Sequence, residues 1–460
     1  MAGSVVVAQP LPPGAPTPSQ AVAAARETVP DDPSGFSFGS YGRVGVASDL
    51  RGRTAIDTNL VAFGPRLLLA PYAELQFNYE RRNGDVRWRV ITTIGVNNDL
   101  FHYTGDFTAT FAIRNLYVEE RGALHEHLSL WVGSRMYRGD DVYLLNFWPM
   151  DSLNMIGGGA RFDAGSHVAV QAAVGMNRLD NPYQLQTLSV AARDGFGPTT
   201  AYLLDRPRIF GAAKATWYSA GRTSREGLKL SLYGEFHSIA AGVRQTNDAG
   251  TRIELPSDDG WVVGAQAGIY RGPSFLNVFV RYGQGLGAYG DLAVPITLAS
   301  ARTSARAQDI RVALSGNWES GAFALMVGAY FRFFRDADPG VFSRNALVEG
   351  AVAVRPIVWF GQRAGVSAEA SYQHVVYDAI DPATGSGALA GTVWRFSVMP
   401  FVSPMGRGSY TRPHLQLIYA ASIRDEGARR LYAPDDPAGF NTVEHYLGLG
   451  AEWWFNSSYL

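Results

Sequence analysis

The chain has 460 residues with 40 basic and 41 acidic side chains, so its bulk charge points to no polyanionic partner and no nucleic acid. It contains no cysteine, which excludes a disulfide scaffold, a thiolate metal site and a cysteine nucleophile together. No run of about 18 apolar residues exists, so an ordinary transmembrane helix is excluded as well.

In chain order, residues 1–35 differ in kind from the rest. Val5-Val6-Val7-Ala8 reads as the last part of a secretory signal without its basic region, which suggests a truncated or mis-assigned start. Residues 9–34 are too proline-rich to join a sheet and are expected to form a flexible periplasmic extension, with a short helix at Gln20 to Glu27. From residue 36 to 455 one unit recurs: an alternating stretch of about ten residues, a tight turn, a second alternating stretch and a long polar loop. Tight turns are expected at Asn83-Gly84, Gly122, Gly165, Gly221, Gly272-Pro273, Gly321, Gly361 and Pro404-Met405-Gly406. Eighteen strands fit between them. The even count and the alternation of short turns with long loops predict an all-β fold, an 18-stranded antiparallel transmembrane β-barrel with short periplasmic turns and long outer loops. Residues 456–460 form a short tail.

Faces follow from the period of two. In the first strand Phe36, Phe38, Val44 and Val46 fall on one side, toward lipid, and Ser37, Tyr41 and Arg43 on the other, toward a lumen. In the second strand Leu75, Phe77 and Tyr79 oppose Tyr72, Glu74, Gln76 and Asn78. A soluble sandwich would bury the apolar side instead. The final strand, Tyr446 to Phe455, ends on aromatics as a barrel strand does at the interfacial girdle. Trp453 and Phe455 read as girdle residues, whereas Trp454 has the opposite parity and fits either role. A soluble β-propeller would need repeats of about 40 residues, and none is seen.

Motifs for other chemistries fail on context. Gly285-Leu-Gly287-Ala-Tyr-Gly290 matches a dinucleotide fingerprint, but no helix-period segment follows. His125 and His127 sit in a turn with no third metal ligand. The acidic pairs Asp258-Asp259 and Asp435-Asp436 have no paired base, and no nucleophile arrangement stands out. Neither an enzyme nor a cofactor is expected.

Several separated segments resemble the maltoporin-type carbohydrate porins. Phe38-Gly-Ser-Tyr41-Gly-Arg43 is similar to that family's first strand, and Pro71-Tyr72-Ala73-Glu74-Leu75 to its second. Trp131 to Val142, continuing through Asn146-Phe147-Trp148 to Asp151, looks like the strand and inward-folded third loop that narrow the pore. Asp259-Gly260-Trp261, Arg355-Pro356 and Ser409-Tyr410-Thr411-Arg412-Pro413 follow at fitting intervals. The resemblance implies a homotrimer in the bacterial outer membrane, contacting lipid and passing maltose- or maltodextrin-like oligosaccharides. Its aromatic slide would be carried by Tyr41, Tyr72, Trp454 and one of Trp359 or Phe360. Phe279 from the eleventh strand and Phe107, reaching into a neighbouring subunit, would extend it. The polar track would be Arg43, Arg66, Glu74, Arg114 and Asp141, with Asn146 where the family has a carboxylate. The constriction would be set by Arg138, Asp141, Tyr143 and Trp148.

The chain also departs from the pattern. Gly139 stands where the family has an arginine, whose role Arg138 would take; Trp148 replaces a tyrosine and Tyr143 a histidine. The first outer loop lacks a cysteine pair and is shorter around Arg66. These differences alter the bore while keeping its chemistry. A general diffusion porin and an enzymatic outer-membrane barrel are the alternatives to a sugar channel.

Overall fold

The computed structural model describes residues 35–456 apart from 69, 98–109, 194, 196, 246–250, 296–301, 338–345, 381–387 and 434. The proline-rich extension, its expected short helix, Phe107 and residues 457–460 lie outside the described residues. The first half of the barrel is β1 Gly35–Ser48, β2 Tyr72–Asn83, β3 Val86–Asn97, β4 Thr110–Arg121, β5 Leu128–Arg138, β6 Ser152–Ala164 and β7 Val168–Asn177. Two loop hairpins follow, β8 Leu185–Ala191 with β9 Pro198–Asp205, and β12 Gly242–Gln245 with β13 Arg252–Leu255. Between and after them come β10 Arg208–Tyr218, β11 Glu226–Ile239, β14 Asp258–Arg271, β15 Ser274–Gly285, β16 Gln308–Ser320 and β17 Phe323–Arg335. The chain finishes with β18 Leu347–Phe360, β19 Ala364–Ile380, β20 Ala388–Val402, β21 His414–Arg424 and β22 Val443–Phe455.

Eighteen of these strands form one antiparallel sheet. It closes because β1 pairs with both β2 and β22, setting Tyr41 opposite Glu74 on one side and Trp454 on the other. Closure leaves no sheet edge, which is what a lipid environment demands of a strand-built wall. The expected period of two is visible along β11. Leu228, Leu230, Leu232 and Phe236 face outward, while Lys229, Ser231, Tyr233, Glu235 and His237 are buried inside.

The turn glycines Gly84, Gly122, Gly165, Gly221, Gly272, Gly321, Gly361 and Gly406 all have positive φ, the conformation that makes glycine the natural residue there. The turn expected at Pro404-Met405-Gly406 forms, its Gly406 amide donating to the Ser403 carbonyl at 3.1 Å, but the connection around it is longer than a tight turn. The β20–β21 connection spans residues 403–413, and Ser409, Tyr410 and Arg412 within it are buried. After the turn the chain folds inward, because its arginine and tyrosine find their partners inside the barrel.

The core also sits inside the barrel. Residues 141–150 of the third loop are all buried, and Val142, Tyr143, Leu144, Leu145, Phe147 and Met150 join Ile91, Tyr233, Tyr330 and Ile357 of the wall in a single cluster. Unlike a soluble sandwich, the fold buries its polar strand faces and its inward loops together, and leaves the apolar strand faces outside.

Candidate functional site in the barrel lumen

Register and strand parity bring three of the expected aromatics together. Tyr41 and Tyr72 lie with ring centroids 6.0 Å apart, beside Met136, with Trp454 packed against them. Trp454, left open by its parity, is therefore on the lumen side, on the same face as Glu452. Trp453 is on the outer face, its ring where a Cβ on Gly42 would be, and it donates to Ser40 Oγ at 3.0 Å. The edges of the tyrosines are held by charge. Arg43 and Arg66 donate to the Tyr41 hydroxyl at 2.9 and 3.0 Å, and the Arg43 guanidinium stands 5.2 Å from the Tyr72 ring centre. Tyr72 hydrogen-bonds Glu74 and Arg114, and Arg114 pairs with Glu74 at 3.3 Å. Cation–π contact and charge-assisted hydrogen bonds fix these rings in orientation.

The remaining aromatics are elsewhere. Trp359 is 5% exposed, faces inward and meets Phe401 edge-on at 4.9 Å, whereas Phe360 is 64% exposed on the outer face. Alternation allows only one of two neighbours to face the lumen, so Phe360 is removed from the inner wall. Phe279 is buried in the main interior cluster, across from Gln266 and Ala313 rather than against the Tyr41–Tyr72 patch.

The third loop leaves β5 at Arg138 and returns at Ser152, its base closed by the Gly139 amide donating to the Asp151 carbonyl at 3.0 Å. Two lysines of the wall hold it. Lys214 pairs with Asp151 at 2.8 Å, and Lys229 pairs with Asp140, which also accepts from Gln266 at 2.6 Å. Burial opposes charge on Asp140, but Lys229 and Lys214 hold its carboxyl down at about 2. Asp141 behaves oppositely: burial and the neighbouring Asp140 push its carboxyl well above the usual range, against the pull of Arg66. A side chain at Gly139 would displace the Asp151 carboxylate from Lys214, since a Cβ there would meet its Oδ1 at 1.6 Å. Arg138 instead donates to the Leu153 carbonyl at 3.2 Å and lies 5.4 Å from the Trp148 ring.

The tip crosses the bore. A short 3-10 turn, Tyr143–Leu145, ends at Asn146 in the left-handed region (φ 51), a conformation asparagine tolerates. Beyond it Phe147 stacks on Phe63 at 4.0 Å and meets Tyr330 of β17 at 5.6 Å. Gly328 of β17 gives the tip its seat, since a Cβ there would stand 2.9 Å from Val142 and 3.1 Å from Leu144. Strand β17 lies eight strands from β5 around the eighteen-stranded wall, close to the opposite side, so the loop reaches across the lumen.

Three features escaped the sequence reading. The first loop also folds in: Leu60, Ala62 and Phe63 donate backbone N–H groups to Gln373, Glu349 and Tyr330. Second, Arg281, Arg311 and Arg332 lie across from one another on β15, β16 and β17 and share Asp309 at 3.4, 2.6 and 2.7 Å. Their inward parity was a usable signal. Third, Glu452 joins four parts of the chain. It pairs with Arg66 of the first loop, accepts from Tyr143 of the third at 2.8 Å, and accepts from Arg412 of the β20–β21 connection at 2.9 Å. Arg412 also bonds the Tyr143 hydroxyl, and Tyr410 meets that ring at 5.3 Å. A cavity of about 70 Å³ adjoins this junction, lined in part by Arg43, Arg66, Arg355, Arg412, His414 and Glu452.

A family model described as LamB porin matches residues 36–455. No curated protein matches the chain. Among solved structures, the chain is similar to the outer membrane channel DcaP of Acinetobacter baumannii at 11% identity, covering 92% of this chain and 98% of that one, with a TM-score of 0.46. It is likewise similar to OccK3 (OpdO) of Pseudomonas aeruginosa at 13% identity, covering 92% and 96%, with a TM-score of 0.43. For the outer membrane protein OpdK of the same organism the identity is 14%, the coverage 91% and 98%, and the TM-score 0.40.

Proposed function

The chain belongs to the LamB porin family, and on that premise we propose that this outer-membrane porin is a channel for facilitated diffusion of sugars. A sugar offers apolar C–H faces and hydroxylated edges, so a wall that favours it needs flat aromatics beside charged hydrogen-bonding groups. The observation that carries this reading is the Tyr41–Tyr72–Trp454 patch, edged by Arg43, Arg66, Glu74 and Arg114. Trp359 offers a second aromatic surface with Phe401. Asp141 and Asn146 of the third loop supply further polar groups, and Arg138, Tyr143 and Trp148 narrow the bore. On this reading the tight turns face the periplasm, the assembly is a homotrimer, and Phe107 extends the slide of a neighbour. The channel performs no catalysis and needs no cofactor.

Passage requires several weak sites, since one tight site would hold the solute. The test is ion current through the purified protein in a planar bilayer, titrated with malto-oligosaccharides of increasing length. Saturable block that weakens in Trp454→Ala supports the proposal. A current that no oligosaccharide reduces at millimolar concentration would make it a general diffusion porin.

A further inference from the structure

The cavity beside Glu452 is built for more than hydroxyl groups. Four of the side chains lining it are arginines, Arg43, Arg66, Arg355 and Arg412, and one carboxylate, Glu452, lines it with them, while Glu369 stands behind Arg355. Glu452 serves Arg66 and Arg412, and Glu369 serves Arg355 at 2.6 Å. Arg43 has no carboxylate partner among the described residues; it bonds only the Tyr41 hydroxyl and the Ala70 carbonyl. Arginines therefore outnumber the carboxylates that pair with them at this site.

Its hydrogen-bonding capacity is also incompletely used. Arg66 Nη1, Ser409 Oγ and His414 Nε2 belong to side chains more than nine-tenths buried, line this cavity, and have no partner among the described residues. Buried donors left in that condition are costly, and unmatched arginines more so. A neutral hydroxyl would satisfy the hydrogen bonds but leave the charge. A carboxylate satisfies both, accepting from two donors at once in the geometry a guanidinium presents. The volume suits it, because about 70 Å³ exceeds the roughly 10–15 Å³ that one ordered water needs. The ring to which such a carboxylate is attached would lie close to the Tyr41 patch, since Arg412 stands 4.2 Å from the Trp454 ring and Arg43 bridges to Tyr41 and Tyr72.

We propose that this cavity binds a carboxylate carried by the permeating solute, so that acidic saccharides are preferred over neutral ones. The proposal rests on the sugar-channel reading and narrows it. A sugar whose exocyclic carbon is a carboxylate would place its ring on the aromatic patch and its charge between Arg43, Arg66 and Arg412. Neutral sugars would use the patch alone.

The experiment compares block of the ion current by trigalacturonate, maltotriose and glucuronate in the full-length protein, and in Arg66→Gln and Arg43→Gln. Trigalacturonate is expected to block at a concentration on the order of tenfold lower than maltotriose, the effect of one charge-assisted hydrogen-bond pair. Both variants should erase that difference while still conducting ions. Arg43→Gln breaks no ion pair, so it keeps the test valid if Arg66→Gln fails to fold. Equal block by the acidic and neutral trisaccharides, or stronger block by maltotriose, overturns the carboxylate site and leaves the sugar reading standing. Block by glucuronate with no difference between chain lengths and none by maltotriose supports the carboxylate site and overturns the aromatic slide. Absence of block by all three overturns the proposal.

Discussion

Two connections enter the lumen from opposite ends and meet at Tyr143, yet they are held by different physics. The tip of the third loop, beyond its ion-paired base, is seated by apolar burial: Val142, Leu144, Leu145 and Phe147 are each at most 2% exposed and pack against Phe63, Gly328 and Tyr330. The β20–β21 connection, residues 403–413, is held by polar contacts. Arg412 bonds Glu452, Tyr143 and the Ser409 and Thr411 carbonyls, and the Ser409 amide donates to Glu319 at 2.9 Å. Apolar burial is non-directional and tolerates adjustment, whereas a buried arginine depends on each of its acceptors. The first connection should yield gradually to truncation, and the second should fail when one group is removed.

Four substitutions sharpen that contrast. Phe147→Ala deletes the largest apolar anchor and should weaken seating of the third loop by about 3–4 kcal/mol. Single-channel conductance should rise, with long-lived open states as the loop leaves the bore. Arg412→Ala leaves Glu452 with one cation where it had two, at a cost of about 3 kcal/mol. Thermal unfolding in detergent should occur earlier, and conductance should rise without the slow open states, because the third loop keeps its apolar seat.

The two aspartates at the loop base give smaller effects of opposite sign. Asp140 is held at about 2, below the ordinary 3.8, so its contribution is full above 3.8 and is lost as pH falls through about 2. Asp140→Asn should cost about 2 kcal/mol at pH 7, with variant and wild type converging near pH 2. Asp141 is raised, so folding keeps a proton that the unfolded chain releases, and the stability it gives below 3.8 is lost as pH rises. Asp141→Asn should therefore stabilise slightly at pH 7 and do nothing below 3.8. A pH series of unfolding midpoints for the two variants separates them; parallel curves would contradict the assignment.

The same contrast explains what was legible in the sequence. Alternation and turn glycines depend on local residue order, so strand number, strand faces and turn positions could be read directly. The inward course of the third loop was legible through the family resemblance and through the dense mixture of charged and aromatic groups, Arg138, Asp141, Tyr143 and Trp148, in a loop otherwise bathed in solvent. The β20–β21 connection offered the Pro404-Met405-Gly406 turn and a resembling Ser409-to-Pro413 segment, but not its inward course, because the partner of Arg412 lies 40 residues away and that of Arg66 lies 386 away. Pairing at such separations leaves no periodic trace. The ambiguity between Trp359 and Phe360 arose from a one-residue uncertainty in strand register, which exchanges inner and outer faces completely.

The crossing of the lumen by the third loop is the claim on which both the narrow bore and the four-part junction depend, and the absence of native cysteine allows it to be tested cleanly. A Cβ at position 328 stands 3.1 Å from the Cβ of Leu144, close to the roughly 3.5–4.5 Å of a disulfide. Gly328→Cys combined with Leu144→Cys should crosslink under mild oxidation, and the oxidised channel should keep a low conductance that rises on reduction. Failure of the pair to crosslink in channels that still insert and conduct would place the third loop outside the bore and contradict the account.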